Sequence, residues 1–154
     1  MKFNFLQAAE TPMDLLLLAD PEASIIQEYL PQSKIMAAME EGQILGVIVF
    51  LEISESKLEL MNIAVYPSHQ KKGIGGQLLK ESIQWAIMHQ FSSIELGTGT
   101  FGYQLAFYQK AGFRVDRIIK DHFLNNYPSP IFETGLQHKD MLRLKLDLEA
   151  FTDH

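Results

Sequence analysis

The feature that most constrains this chain is a change of hydrophobic period across residues 58–90. Residues 58–65 are rich in alternating apolar side chains, the pattern of a strand. Beyond Pro67, Leu79, Ile83, Ala86 and Ile87 recur at spacings of four, three and one, which predicts a helix over 75–90. Between the two lies Val65-Tyr66-Pro67-Ser68-His69-Gln70-Lys71-Lys72-Gly73-Ile74-Gly75-Gly76. Glycines let a backbone take left-handed angles and come within contact of a ligand. The first amides of a helix have no internal partner, and the helix dipole favours negative charge there. Lys71 and Lys72 bring positive charge to the same place. The segment therefore has the chemistry of an anion site suited to a pyrophosphate. A plainer reading keeps the glycines for tight helix–sheet packing and the lysines for solvent.

The rest of the chain reads around that unit. A strand over 2–8 alternates Phe3 and Phe5 with polar residues, and helices over 12–19 and 23–30 follow, with Pro12 and Pro21 near their starts. A hairpin joins 35–39 to 44–53, and Ser54–Lys57 turns the chain into the 58–65 strand. After the long helix come a strand over 93–96, a helix over 104–111 stopped by Gly112, and a strand over 113–119. An irregular stretch with Pro128 and Pro130 leads to a last strand over 142–148. The order β-α-α-β-β-β-α-β-α-β-β predicts an α/β fold. Its mixed sheet is antiparallel first and carries a βαβ crossover in its second half. With 154 residues and no repeat or linker, one domain over 1–154 is expected.

Composition narrows the function classes. No cysteine is present, which removes disulfides, thiolate metal sites and an acyl-cysteine intermediate. A net charge of −6 makes the chain as a whole no platform for nucleic acid. No apolar run approaches a membrane span, and the first residues lack a signal-peptide core, so the expected compartment is the cytoplasm. His69, His89, His122, His138 and His154 show no metal-ligand spacing. Trp85 and the seven methionines read as packing.

Two other phosphate sites fail on the residues. A P-loop needs Lys-Ser/Thr after its last glycine, which is absent. A dinucleotide fingerprint needs a third glycine where Leu78 stands. Its ribose carboxylate could be Glu95, but seven residues separate Val65 from Gly73, where the fingerprint wants a tight turn.

Val65-x-Pro67-x-x-Gln70-x-x-Gly73-x-Gly75 resembles motif A of the GNAT family of N-acetyltransferases. Leu105-Ala106-Phe107-Tyr108-Gln109-Lys110-Ala111-Gly112-Phe113 resembles its motif B, a tyrosine shortly before Gly-Phe. The resemblance covers about 43–120; the first 40 residues match by topology alone, where the family places acceptor-binding helices. It implies acetyl-CoA as co-substrate, held at the pyrophosphate by the amides from Lys71 through Lys72, Gly73, Ile74 and Gly75 to Gly76, with Gln70 part of the motif. It implies that the backbone of Ile63, Ala64 and Val65 pairs with the pantetheine arm. Tyr108 is then the candidate acid for the departing thiolate, since an unperturbed phenol near pKa 10 matches a thiolate of similar basicity. Glu95 and Glu59 are the candidate bases, with water relays as the alternative. Two positions depart from motif B: Phe101 and Gln104 stand where many members have Asn and Ala, and Thr98-Gly99-Thr100 is the alternative source of hydroxyls. Tyr127 is a candidate lining residue of the acceptor pocket.

The expected activity is acetyl transfer to a primary amine by direct attack in a ternary complex. The resemblance leaves room for a homodimer and for two rivals. One is a non-catalytic acyl-CoA sensor or interaction module; the other is a member acting on charged tRNA, against which the acidic balance argues.

Overall fold

The computed structural model describes residues 1–151, in two compact units, one of residues 1–92 and one of the described residues from 93 on. Each is built from local rules that the sequence carries.

The first unit is an antiparallel meander of β1 (Lys2–Leu6), β2 (Lys34–Glu40), β3 (Gln43–Glu52) and β4 (Lys57–Val65), each strand paired with the next. The β2–β3 turn uses Glu41 and Gly42 at positive φ, the geometry of a tight hairpin. Residue 61 is a bulge on β4, because Val49 pairs with Asn62 while Phe50 pairs with Leu60. Two short helices, α1 (Met13–Leu16) and α2 (Ala23–Tyr29), bring Leu15, Leu16, Ile26 and Tyr29 into a core with Val47, Val49 and Ala64. The long helix α3 (Ile74–Met88) packs on β2, β3 and β4, and Ile74, Leu78, Leu79, Ser82 and Ala86 are its buried stripe.

Three expectations shift here. The first strand stops at Leu6, because Gln7 and Glu10 cap each other reciprocally and start a 3₁₀ turn over Ala8–Glu10. The helix expected over 12–19 is α-helical only to Leu16; the Leu18 and Ala19 amides then bond in i→i−3 fashion and tighten the end. Trp85 does pack, but in a half-exposed cluster with Phe5, His89 and Phe91 rather than in the core.

One buried polar contact ties this unit together. Asn62 on β4 donates from Nδ2 to the Leu16 carbonyl at 3.0 Å and to the Tyr29 hydroxyl at 3.1 Å. Burial pushes the Tyr29 phenol up to about 12; the Asn62 bond pulls it partly back and the Asp20 charge adds to the rise. An unfolded tyrosine ionises near 10. The native phenol therefore contributes stability that is complete below pH 10 and is lost as pH rises from there through about 12. Urea midpoints measured across that window should fall steeply in the wild type and less steeply in Tyr29→Phe. Equal slopes would show that this phenol does not couple to alkaline unfolding.

The second unit has β5 (Ser93–Gly99), α4 (Tyr103–Lys110), β6 (Arg114–Ile119), α5 (His122–Asn126), a small hairpin of β7 (Phe132–Glu133) and β8 (Leu136–Gln137), and β9 (Met141–Asp147). β9 pairs antiparallel with both β5 and β6. The latter two thus run the same way on either side of it, joined by α4, which is the β-α-β connection expected for this half. β5 runs three residues past its expected end, through Gly97-Thr98-Gly99. α5 and the β7–β8 hairpin fill the stretch that reads as irregular in sequence. The class is α/β, as the element order implies. Among the described residues no helix is long and apolar enough to cross a membrane.

Candidate active site

In the first unit the candidate anion cradle is the stretch where β4 passes into α3. A 3₁₀ turn, Pro67–His69, redirects the chain, and the Gln70 side chain donates to the Val65 carbonyl at 2.8 Å. Gln70 therefore closes the loop onto the end of the strand with its side chain. Lys71 and Gly73 both take left-handed angles, φ 64° and 80°. For a lysine that angle is strained, and such strain clusters where a ligand is gripped. Two left-handed residues around Lys72 are the kind of backbone alternation that builds an anion-binding nest. The first intrahelical bond runs from the Gln77 amide to the Gly73 carbonyl at 3.0 Å, which leaves the Ile74, Gly75 and Gly76 amides without a helical partner.

Packing does not explain Gly73 or Gly76. A Cβ built on Gly73 or Gly76 meets nothing within 4 Å, so the space beside each is open. Lys71 and Lys72 are exposed beside them. Open space, unpartnered amides and two ammonium groups fit a pyrophosphate. Ile63, Ala64 and Val65 lead into the cradle, in register with Ile48, Val47 and Gly46. Glu59 lies half-buried earlier on the same strand. His69 is half-buried in the turn.

In the second unit Tyr108 stands three residues before Ala111, the C-cap of α4. Gly112 follows at φ 108°; its amide bonds to the Gln109 carbonyl and the Phe113 amide to the Tyr108 carbonyl, both at 3.1 Å. This is a Schellman closure, completed by the Tyr108 and Phe113 rings meeting at 5.8 Å. The Gly-Phe pair after the tyrosine thus fixes its backbone and its ring together. The phenol is not unperturbed, as the sequence argument assumes: burial, with a smaller effect of Tyr103, pushes it well above the ordinary tyrosine range. It stays protonated throughout the working pH range, and it is a weaker acid than a free phenol.

Glu95 is half-buried on β5, paired in register with Lys145. Among the described residues no hydrogen bond joins it to Tyr108. Gly97 and Gly99 share its face of the strand, and their missing Cβ atoms admit Met141 and the His138 ring. Thr98 is buried toward the other face and Thr100 is exposed. Tyr127 is half-buried just after α5, tilted against Phe123.

The sequence gives no sign of one further pair. His138 Nε2 lies 2.9 Å from a Glu133 carboxylate oxygen, and the imidazole stacks on Phe101 with centroids 4.1 Å apart and planes 5° from parallel. Phe101, at a position where the motif departs from its usual asparagine, is thus a platform for this histidine. The pair depends on the β7–β8 hairpin, which has no periodicity to read. His154 lies outside the described residues.

Comparison with known proteins agrees with this geometry. The acetyltransferase (GNAT) family model matches residues 5–113. An uncharacterised N-acetyltransferase of Bacillus subtilis, YvbK, is 46% identical over 136 residues, 88% of each chain. A GNAT family acetyltransferase from Elizabethkingia anophelis, solved with acetyl-CoA bound, superposes with a TM-score of 0.88 at 39% identity, over 95% of this chain and 97% of that one. A Bacillus subtilis acetyltransferase in complex with CoA gives 0.86 at 42% identity, over 95% and 97%. With its cradle, its tyrosine before Gly-Phe and these matches along nearly its whole length, the chain belongs to the GNAT family of acetyltransferases.

Proposed function

We propose that this protein transfers acetyl from acetyl-CoA to a primary amine by direct attack in a ternary complex, with residues 1–154 acting as one N-acetyltransferase domain in the cytoplasm. The observation that carries the reading is the concave backbone of 71–76, with its unpartnered amides and the open space beside Gly76. In this reading the amides of Lys71 to Gly76 hold the pyrophosphate, and Lys71 and Lys72 neutralise it. The backbone of Ile63 to Val65 aligns the pantetheine arm as an added strand would. Bound acetyl-CoA supplies the acetyl group as a thioester. Tyr108 delivers its phenolic proton to the departing sulfur, and Glu95, Glu59 or a water relay takes the proton that the amine gives up. With no cysteine in the chain, the acetyl group has no thiol to rest on. A homodimer is compatible with this scheme and is not required by it.

The test joins binding to turnover. Acetyl-CoA should raise the melting temperature, and a panel of primary amines should elicit thiol release. Stabilisation without release across a broad panel would point to the acyl-CoA sensor. No stabilisation at millimolar acetyl-CoA would remove the reading altogether.

A further inference from the structure

We propose that Glu133 is a positioning residue for Tyr108: held by His138, its carboxylate fixes where α4 begins. The inference rests on the N-acetyltransferase reading above and adds to it a residue from the β7–β8 hairpin.

α4 has little of its own to hold its first turn. It is eight residues long, Tyr108 is its one buried residue, and Tyr103 at its start is 75% exposed. Helices this short are marginal without tertiary support. The far end has the Schellman closure and the contact of Tyr108 with Phe113. The near end is capped by Gly102, which has no side chain to take up the free amides. Glu133 stands at that end. A Cβ built on Gly102 would lie 2.6 Å from Glu133 Oε2 and 2.7 Å from Oε1, so the carboxylate rests against the cap itself. The helix dipole favours a negative charge there, and the hairpin supplies the one that the cap lacks.

His138 holds that carboxylate in turn. It is 7% exposed, and its Nε2 meets Glu133 Oε1 at 2.9 Å. One face of the ring stacks at 4.1 Å on Phe101, the residue before the cap. The ring also fills the space where Gly99, the last residue of β5, has no Cβ. The His138 amide donates to the Ile131 carbonyl at 2.8 Å. The end of β5, the hairpin and the start of α4 are thus joined in one closed loop of contacts. Nδ1 is buried against Gly99 with no hydrogen-bond partner among the described residues. Passing a proton through an imidazole takes a partner at each ring nitrogen. His138 has one, so it acts as a strut for Glu133 and not as a base.

Thiol release from acetyl-CoA, with the primary amine of the panel that turns over fastest, reads the effect in the full-length protein. Glu133→Ala should lower kcat about tenfold or more, because small misplacements of a reacting group are costly, while the KM for acetyl-CoA is unchanged. Glu133→Gln keeps the volume and an acceptor for Nε2, and should recover part of that loss. The cycle with Tyr108→Phe tells positioning from a structural role. If Glu133 acts through the phenol, Glu133→Ala should cost little more in that background; two losses that multiply would overturn the proposal. Hydrogen exchange gives a reading that needs no turnover. The Phe107 and Tyr108 amides should exchange about tenfold faster in Glu133→Ala, while those of Leu96 and Leu144 on β5 and β9 keep their rates. No acceleration, or equal acceleration in the strands, would also overturn it. A wild type that releases no thiol from any amine would remove the transferase reading instead, and exchange would then decide the clamp by itself.

Discussion

Replacing Gly76 with aspartate is expected to make the free protein more stable and to abolish its response to acetyl-CoA. Gly76 is the third residue of α3 after the Gly73 cap, and it is exposed. A Cβ there meets no atom within 4 Å, so the space beside the residue is open. Removing a helical glycine gains a few tenths of a kcal/mol, and a carboxylate in the first turn adds ~0.3–1 kcal/mol through the dipole. A gain near 1 kcal/mol raises the melting temperature by about 2–4 °C in a chain of this size. Toward a pyrophosphate the same carboxylate is repulsive. Like charges ~4 Å apart interact by about 4 kcal/mol at the effective dielectric of a protein surface, nearly a thousandfold in affinity before salt screening. Calorimetry with and without acetyl-CoA would show the two effects with opposite sign. Gly76→Asn fills the same volume without charge and should fall between. An aspartate variant that still responds fully to acetyl-CoA would move the pyrophosphate away from this helix start.

Why that cradle can be read from sequence while other parts of the site cannot is a matter of range. The switch from an alternating strand to a 3.6-residue period, with glycines at the seam, is written within 33 consecutive residues, and it produces β4, the loop and α3 within two residues of the expected bounds. Gly112 likewise announces the end of α4, because the Schellman closure needs a left-handed residue there. Gly97 and Gly99 mislead for the same reason that glycines inform elsewhere. They suggest a loop, yet they lie in β5 and are small because Met141 and His138 arrive from about 40 residues away. The two-residue strands β7 and β8 are too short to show a period, so the Glu133–His138 pair has no local signature. Asn62 gives no sign of its buried contacts either; its partners Leu16 and Tyr29 are 46 and 33 residues distant. The raised ionisation of Tyr108 is also invisible in sequence, since it follows from how completely the ring is buried.

That burial sharpens what Tyr108→Phe should do. Phenylalanine keeps the ring, and so keeps its edge contacts with Phe107 at 5.3 Å and Phe113 at 5.8 Å. The helix closure uses the residue's carbonyl and is untouched by the change. Stability and acetyl-CoA binding should therefore stay near wild-type values. If the phenol protonates the departing thiolate, turnover should fall ~10²–10⁴-fold, with kcat and kcat/KM for the amine falling together. Burial holds the phenol neutral beyond the ordinary tyrosine range, so ionisation of this acid should not cut the wild-type rate between about pH 8 and 10. An unshifted tyrosine would begin to fail there. Steady-state rates for both proteins across that range separate the two roles open to the residue. A purely structural tyrosine predicts equal turnover and a lower melting temperature in the variant. A proton donor predicts an intact protein that binds acetyl-CoA and releases thiol slowly at every pH.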